Sequence, residues 1–256
     1  MNILITGGNG FIAKHLTAYL SAQHTVYAPN KIDLDCLDKI AVEHFFNTHT
    51  VDIVIHTALV GRENLGSADP MYRTVAMQMW NNIRDQRHLF KKLIHFGSAY
   101  DAFNSQYGMA KKLIKYSCLM TENFYNLRIF GNYHHSENNS RFFKHLYASD
   151  RFVIGENRKF DYFNLEDIFP IVDLVINETI EEHNFDIVYK EKFTLLEQAM
   201  RFCVLNEVKT VIESPRTGDD LIGDSTILES FNLPFNGLEE GFKKYNYTAS
   251  TLITNG

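Results

Sequence analysis

The sequence predicts an α/β fold: a doubly wound parallel sheet followed by a smaller carboxy-terminal lobe. Three observations carry that expectation. Short apolar, β-branched runs alternate with helical patterns from residue 2 to about residue 130. The first of these runs turns through glycines directly into a helix. Beyond Gly131 the alternation weakens, and the chain becomes irregular and aromatic-rich. Strand–helix units joined by short connections pack helices on both faces of a parallel sheet. In such sheets ligands sit beyond the carboxyl ends of the strands.

Asn2–Thr6 reads as a buried parallel strand, ending in Gly7-Gly8-Asn9-Gly10, with a helical pattern opening at Phe11. This arrangement is a device for holding a pyrophosphate. Missing β-carbons let the backbone approach the phosphates, and the helix N-terminus supplies N–H donors and partial positive charge. The turn makes the predicted sheet Rossmann-type, with Gly7, Gly10, Phe11 and Ile12 as cofactor-binding residues. Residues 24–28 form the second strand, closed by Pro29-Asn30, and a helix follows over 39–47. A strongly apolar strand covers 51–57, with Thr57 and Ala58 beside the cofactor. Residues 69–90 are helical, 92–96 form a strand ending in Gly97-Ser98, 107–123 a helix and 126–130 a strand. Later helices are expected at 166–181 and 195–205, with a polar loop at 133–139 and a mixed tail over 219–247. The dinucleotide-binding domain is thus expected over 1–131, with 165–185 returning to it, and 132–256 form mainly the substrate lobe.

A length of 256 residues suits one large domain or one with an appendage. The net charge of −6, with no basic stretch, argues against nucleic-acid binding. Cys36, Cys118 and Cys203 are far apart, so neither a disulfide framework nor a metal site is expected. No apolar run approaches the roughly 18 residues needed to cross a bilayer. The first strand begins almost at once, leaving no room for a signal peptide, so the expectation is a cytoplasmic protein without membrane contact.

The chemistry-bearing residues cluster after the fourth predicted strand. Tyr107 and Lys111 lie four residues apart, on one face of one helix. A lysine one turn from a tyrosine stabilises the phenolate and makes the tyrosine a usable acid or base. Ser98, at the preceding strand end, can donate to the substrate oxygen that the tyrosine protonates.

Taken together, these segments resemble the extended branch of the short-chain dehydrogenase/reductase superfamily, the nucleotide-sugar epimerases, dehydratases and 4-keto-sugar reductases. Residues 6–13 (TGGNGFIA) are similar to the family's TGGxGFIG, with Ala13 in place of the third glycine. Residues 52–58 resemble its DxVxHxAA segment, 126–133 its LRxxNxYG strand and 160–167 its RDFxxVxD stretch. Residues 215–219, followed by 223–225, are similar to its RxGD segment. The resemblance implies Tyr107 as acid/base, Lys111 as its partner and ribose anchor, and Ser98 as the hydroxyl polarising a sugar carbonyl. It implies Asn132, Arg216 and Asp219 as substrate contacts, Arg216 on the diphosphate and Asp219 on the nucleotide ribose. It also implies a homodimer through the helices at 69–90 and 107–123. Departures are visible. Phe160 stands where the family has a nucleotide-binding arginine, with Arg158 or Lys159 as substitutes, and Thr74 where an asparagine is common.

The cofactor is expected to be NADP, with NAD as the alternative. Residues 28–31 (APNK) carry no acid until Asp33, and Lys31, with Lys14, can neutralise a 2′-phosphate. Asn30, Lys31, Asp33 and Leu34 are the expected contacts on the adenosine side. The stretch 33–35 resembles the adenine-contacting segment of the fucose-synthase and rhamnose-reductase members. These features favour reduction of a nucleoside-diphosphate 4-keto-6-deoxy sugar, with an epimerase retaining NAD as the alternative. A cofactor-binding regulatory protein without turnover is the alternative from another class. A dehydratase needs an acid just before the Tyr–Lys helix, where residues 102–106 have none and Asp101 is the nearest.

Overall fold

The computed structural model describes residues 1–59, 68–178 and 180–253, with side chains described through Tyr245. The elements of the first half are β1 (Asn2–Thr6), α1 (Phe11–Leu20), β2 (Thr25–Tyr27), α2 (Lys39–Thr48), β3 (Ile53–His56), α3 (Tyr72–Arg84), β4 (Lys92–Ser98), α4 (Gln106–Leu119) and β5 (Phe124–Ile129). Those of the second half are β6 (Gly131–Tyr133), α5 (Phe142–Ala148), β7 (Arg151–Val153), β8 (Tyr162–Asn164), α6 (Phe169–Asn177), β9 (Asn184–Ile187), α7 (Leu195–Asn206), β10 (Val211–Glu213), α8 (Thr226–Ser230) and α9 (Leu238–Ile253). Six strands form one sheet in the order β2-β1-β3-β4-β5-β9. The pairs β1–β2, β1–β3 and β3–β4 are parallel. This is the Rossmann-type sheet the alternation predicts.

The chain divides into two compact units, one of Met1–Arg128 and Val172–Phe185, the other of Ile129–Ile171 and Asp186–Gly256. In the first, Ile3, Leu4 and Ile5 of β1 and Ile53, Val54 and Ile55 of β3 are buried with no break for polar residues. That pattern follows from a sheet covered on both faces, and each such side chain stabilises the fold by about 1.5–3 kcal/mol. Trp80 and Ile83 of α3 and Ile114 and Cys118 of α4 join the same core. In the second unit an aromatic core gathers Tyr133, Phe143, Phe202 and Phe242, beside the short parallel pairs β6–β8 and β7–β10. There α7 opens on a capping box, Thr194 accepting from Glu197 N while the Glu197 carboxylate accepts from Thr194 N.

Several boundaries differ from the sequence expectation. The helix expected over 69–90 ends at Arg84, with a short 3₁₀ turn at Arg87–Leu89. The one expected over 107–123 ends at Leu119, because Asn123 takes a left-handed φ of 60° to feed β5. The one expected over 166–181 begins as a 3₁₀ turn, Leu165–Ile168, and continues as α6; residue 179 lies outside the described residues. No helix among the described residues is long and apolar enough to cross a membrane.

Candidate active site

The end of β1 is shaped by backbone crowding. Gly7 has a φ of +72°, and a β-carbon on it would lie 2.9 Å from Ala58 Cα. A β-carbon on Gly8 would lie 2.0 Å from Ala28 O. The turn therefore nests against the ends of β2 and β3, with Gly8 N donating to Pro29 O (3.0 Å) and Gly10 N to Gly7 O (2.8 Å). Gly10 caps α1, whose first-turn N–H groups have no earlier helical carbonyl to donate to. No acidic residue occupies that turn. The residues present thus fit a dinucleotide pyrophosphate: a close backbone, helix-end donors and no competing carboxylate. Thr57 donates through Oγ1 to Thr6 O (2.6 Å), and Ala58 N donates to Thr6 Oγ1 (3.2 Å), which locks the end of β3 to β1.

After β2, the Asn30 side chain organises the connecting turn. Its Oδ1 accepts from Ile32 N (2.7 Å) and Asp33 N (3.3 Å). Asp33 is exposed, whereas the Leu34 side chain is buried in the core, so only Leu34's backbone can face a ligand there. Lys31 is exposed and reaches Asp35 at 3.8 Å, and Lys14 is exposed on α1.

The Tyr107–Lys111 pair is built by the start of α4. Ser105 caps that helix, accepting from Gly108 N (3.0 Å). A β-carbon on Gly108 would lie 2.3 Å from Tyr100 O and 2.4 Å from Phe103 O, so only glycine lets the helix start press against the 3₁₀ turn Ala99–Ala102. Tyr107 is half-buried, with its ring edge-on to Tyr72 at 5.7 Å. Lys111 is buried, its Nζ 6.0 Å from the Tyr107 ring centre. The lysine donates to Phe96 O at 2.7 Å and lies 3.3 Å from His95 Nε2. Burial depresses the ammonium to about 7. A small cavity lined by His56, Tyr72, His95, Tyr107 and Lys111 adjoins the pair.

Ser98 ends β4 and is buried, its hydroxyl accepting from Tyr100 N (3.2 Å) as the cap of the 3₁₀ turn. Asp101, in that turn, is buried and committed elsewhere. It accepts from Arg128 Nε (3.1 Å) and is paired with Lys115 at 3.4 Å. This ties the turn to both β5 and α4.

In the second unit, two stretches far apart in sequence are stitched together. Asn157 N donates to Arg216 O (2.8 Å), Gly218 N to Asn157 O (2.9 Å) and Leu221 N to Lys159 O (2.9 Å). Asp161 accepts from Gly223 N (2.7 Å) and from Lys192. The side chains of Arg216 and Asp219 are exposed on this strip. Phe160 turns its ring onto Tyr162, 4.9 Å away. Asn132 is buried on β6, and neither its side-chain oxygen nor its nitrogen has a hydrogen-bond partner. A buried amide left unsatisfied is a site poised for a polar ligand.

His56 and His95 are further polar residues near Lys111 that the sequence does not single out as site residues. Both are buried, and their proximity to Lys111 depends on strand register, which a lone strand pattern does not give. The repeated polar position at the carboxyl ends of β3 and β4 was the signal available.

Comparison with known proteins follows the same outline. Residues 1–62 match the family described as RmlD substrate binding domain. A probable dTDP-glucose 4,6-dehydratase of Sinorhizobium fredii is 30% identical over 129 residues, covering 37% of this chain and 37% of that protein. The matched stretch therefore spans little more than a third of that relative's length. Among solved structures, a dTDP-4-dehydrorhamnose reductase from Clostridium acetobutylicum superimposes with a TM-score of 0.81 at 18% identity, covering 98% of this chain and 100% of that one. A GDP-mannoheptose C4 reductase from Campylobacter jejuni, with NADP bound, gives 0.78 at 18% identity, covering 98% of each chain. Over residues 1–62 the chain is thus similar in sequence to the RmlD substrate binding domain family, and along its length it shares the fold of these two reductases.

Proposed function

We propose that the protein is an NAD(P)H-dependent nucleotide-sugar oxidoreductase that reduces a nucleoside-diphosphate 4-keto-6-deoxy sugar. The observation that carries this reading is the Lys111 ammonium buried one turn from Tyr107 on α4. NADPH, when bound, supplies the hydride that reaches the carbonyl carbon. Tyr107 donates its phenolic proton to the carbonyl oxygen, so that C=O becomes CH–OH. Lys111, when protonated, favours the phenolate left behind, and Ser98 donates a second hydrogen bond to the same oxygen. Gly7, Gly10, Phe11 and Ile12 hold the pyrophosphate, and Thr57 and Ala58 border it. Asp33 and the Leu34 backbone meet the adenine, and Asn30, Lys31 and Lys14 meet the 2′-phosphate of NADP. Arg216 takes the substrate diphosphate, Asp219 its ribose, and Asn132 a further polar group of the substrate.

The engagement of Asp101 with Arg128 and Lys115 favours reduction over dehydration, since the acid nearest the pair is not available for proton transfer. The test is to mix the purified protein with NADPH and a panel of 4-keto nucleotide sugars. Loss of the nicotinamide absorbance with formation of the reduced sugar is expected. Interconverted sugars without NADPH consumption would replace this reading with an epimerase retaining NAD. Cofactor binding with neither reaction would replace it with a regulatory protein.

A further inference from the structure

Strand register sets three polar side chains in one row across the middle of the sheet. Thr6 of β1 is paired with His56 of β3, and His56 with His95 of β4. All three are buried, at 0%, 2% and 1% exposure. Lys111 stands at one end of the row, its Nζ against His95 Nε2 and Phe96 O. At the other end the Thr6 hydroxyl accepts from Ala58 N and lies within hydrogen-bond distance of His56 Nδ1, at 2.9 Å. Trp80 of α3 packs against both imidazoles, with ring centres 5.8 Å from His56 and 5.4 Å from His95. Burial keeps both rings neutral, His56 being pushed down to about 3 and His95 well below its ordinary value. Polar side chains in this row cost free energy that aliphatic ones would not; His95 Nδ1 has no hydrogen-bond partner among the described residues, and the Nε2 of the same ring lies against the ammonium.

We propose that His95 is a positioning residue for the Tyr107–Lys111 pair: its unprotonated Nε2 is the side-chain acceptor that fixes the Lys111 ammonium beside Tyr107. The inference rests on the reading of Tyr107 and Lys111 as the acid–base pair. Among the described residues, the titratable groups facing Lys111 are His95 from β4, His56 from β3, Tyr72 from α3, and Tyr107 and Cys118 from its own helix. Burial raises the Cys118 thiol, so it stays protonated and supplies no counter-charge near neutral pH. Among the described residues these partners of the lysine are thus neutral, and its charge depends on the acceptors it can reach. Removing one of its two acceptors lowers its proton affinity further, while an amide oxygen at the same place restores it.

The test uses cofactor-free protein carrying ¹³C-labelled lysine, titrated by NMR, with Lys111→Met identifying the resonance. In His95→Leu the Lys111 midpoint moves to lower pH, by about tenfold in proton affinity, about one hydrogen bond to a charged group. In His95→Gln, whose Oε1 can accept from the ammonium, the midpoint returns toward that of the wild type. Should His95→Leu not fold, His95→Met supplies the apolar comparison. The pH profile of NADPH-dependent sugar reduction moves in the same order. In the apolar variant kcat falls by about 10- to 100-fold, with KM for the sugar little changed. An unchanged or raised Lys111 midpoint in the folded apolar variant overturns the proposal, as does failure of His95→Gln to restore it. The titration needs no substrate, so a wild-type protein that reduces no sugar fails the proposed function and leaves this readout to be judged by itself.

Discussion

A single β-carbon on Gly8 would meet Ala28 O at 2.0 Å, a backbone atom that can yield only if β2 moves. Gly8→Ala is therefore expected to destabilise the fold by about 1–3 kcal/mol and to weaken NADPH binding at least tenfold. Urea unfolding and fluorescence titration with NADPH measure the two effects. This residue-scale constraint is legible in the sequence, because a glycine run between strand and helix has few other uses. The Lys111 environment is not legible in the same way. Spacing gives the lysine its place one turn from Tyr107, but the acceptors at Phe96 and His95 come from a strand whose register only the packed sheet sets. Leu34 illustrates the converse. The segment it belongs to points to a ligand contact, yet the local turn around Asn30 sends its side chain into the core.

At the scale of elements, the 3₁₀ turn between β4 and α4 is held by Asp101, through Arg128 on one side and Lys115 on the other. Asp101→Asn leaves two partly buried cations without their counter-charge and is expected to cost about 3 kcal/mol in urea unfolding. Thr194→Ala, which removes the α7 capping box, is expected to cost about 1 kcal/mol by the same measurement. On α4, Leu113, Tyr116 and Met120 are 45%, 52% and 88% exposed and share one face of the helix end. We expect this face to meet a second copy of the chain. Leu113→Glu with Tyr116→Glu then shifts sedimentation from dimer to monomer, and a wild-type protein sedimenting as a monomer would contradict it. The long, continuously apolar strands were evident from sequence, since a strand buried on both faces reads as an unbroken β-branched run. The strands β6 to β10, at three or four residues each, show no period, and their pairing depends on partners distant in the chain.

For the whole molecule, the buried row leaves a signature in the pH dependence of stability. His56 titrates near 6.5 in the unfolded chain and near 3 in the folded one. Between these values the unfolded chain binds more protons, so the His56 contribution to stability is complete above about pH 6.5 and is lost as the pH falls toward 3. Lys111 titrates near 10.5 unfolded and about 7 folded. The unfolded chain again binds more protons between them, so stability of the cofactor-free protein rises with pH from about 7 to 10, and Lys111→Met flattens that rise. Urea unfolding from about pH 3 to about pH 10 reads both limbs. Strand–helix alternation fades in the sequence near Gly131, whereas the stitching of 157–161 to 216–223 depends on backbone hydrogen bonds that no local pattern announces. The most direct measurement of the central claim is single-turnover consumption of NADPH at saturating 4-keto nucleotide sugar, wild type against Tyr107→Phe. The account predicts that the variant binds NADPH as the wild type does but reduces the sugar about 10²- to 10⁴-fold more slowly, and equal rates in the two proteins would contradict it.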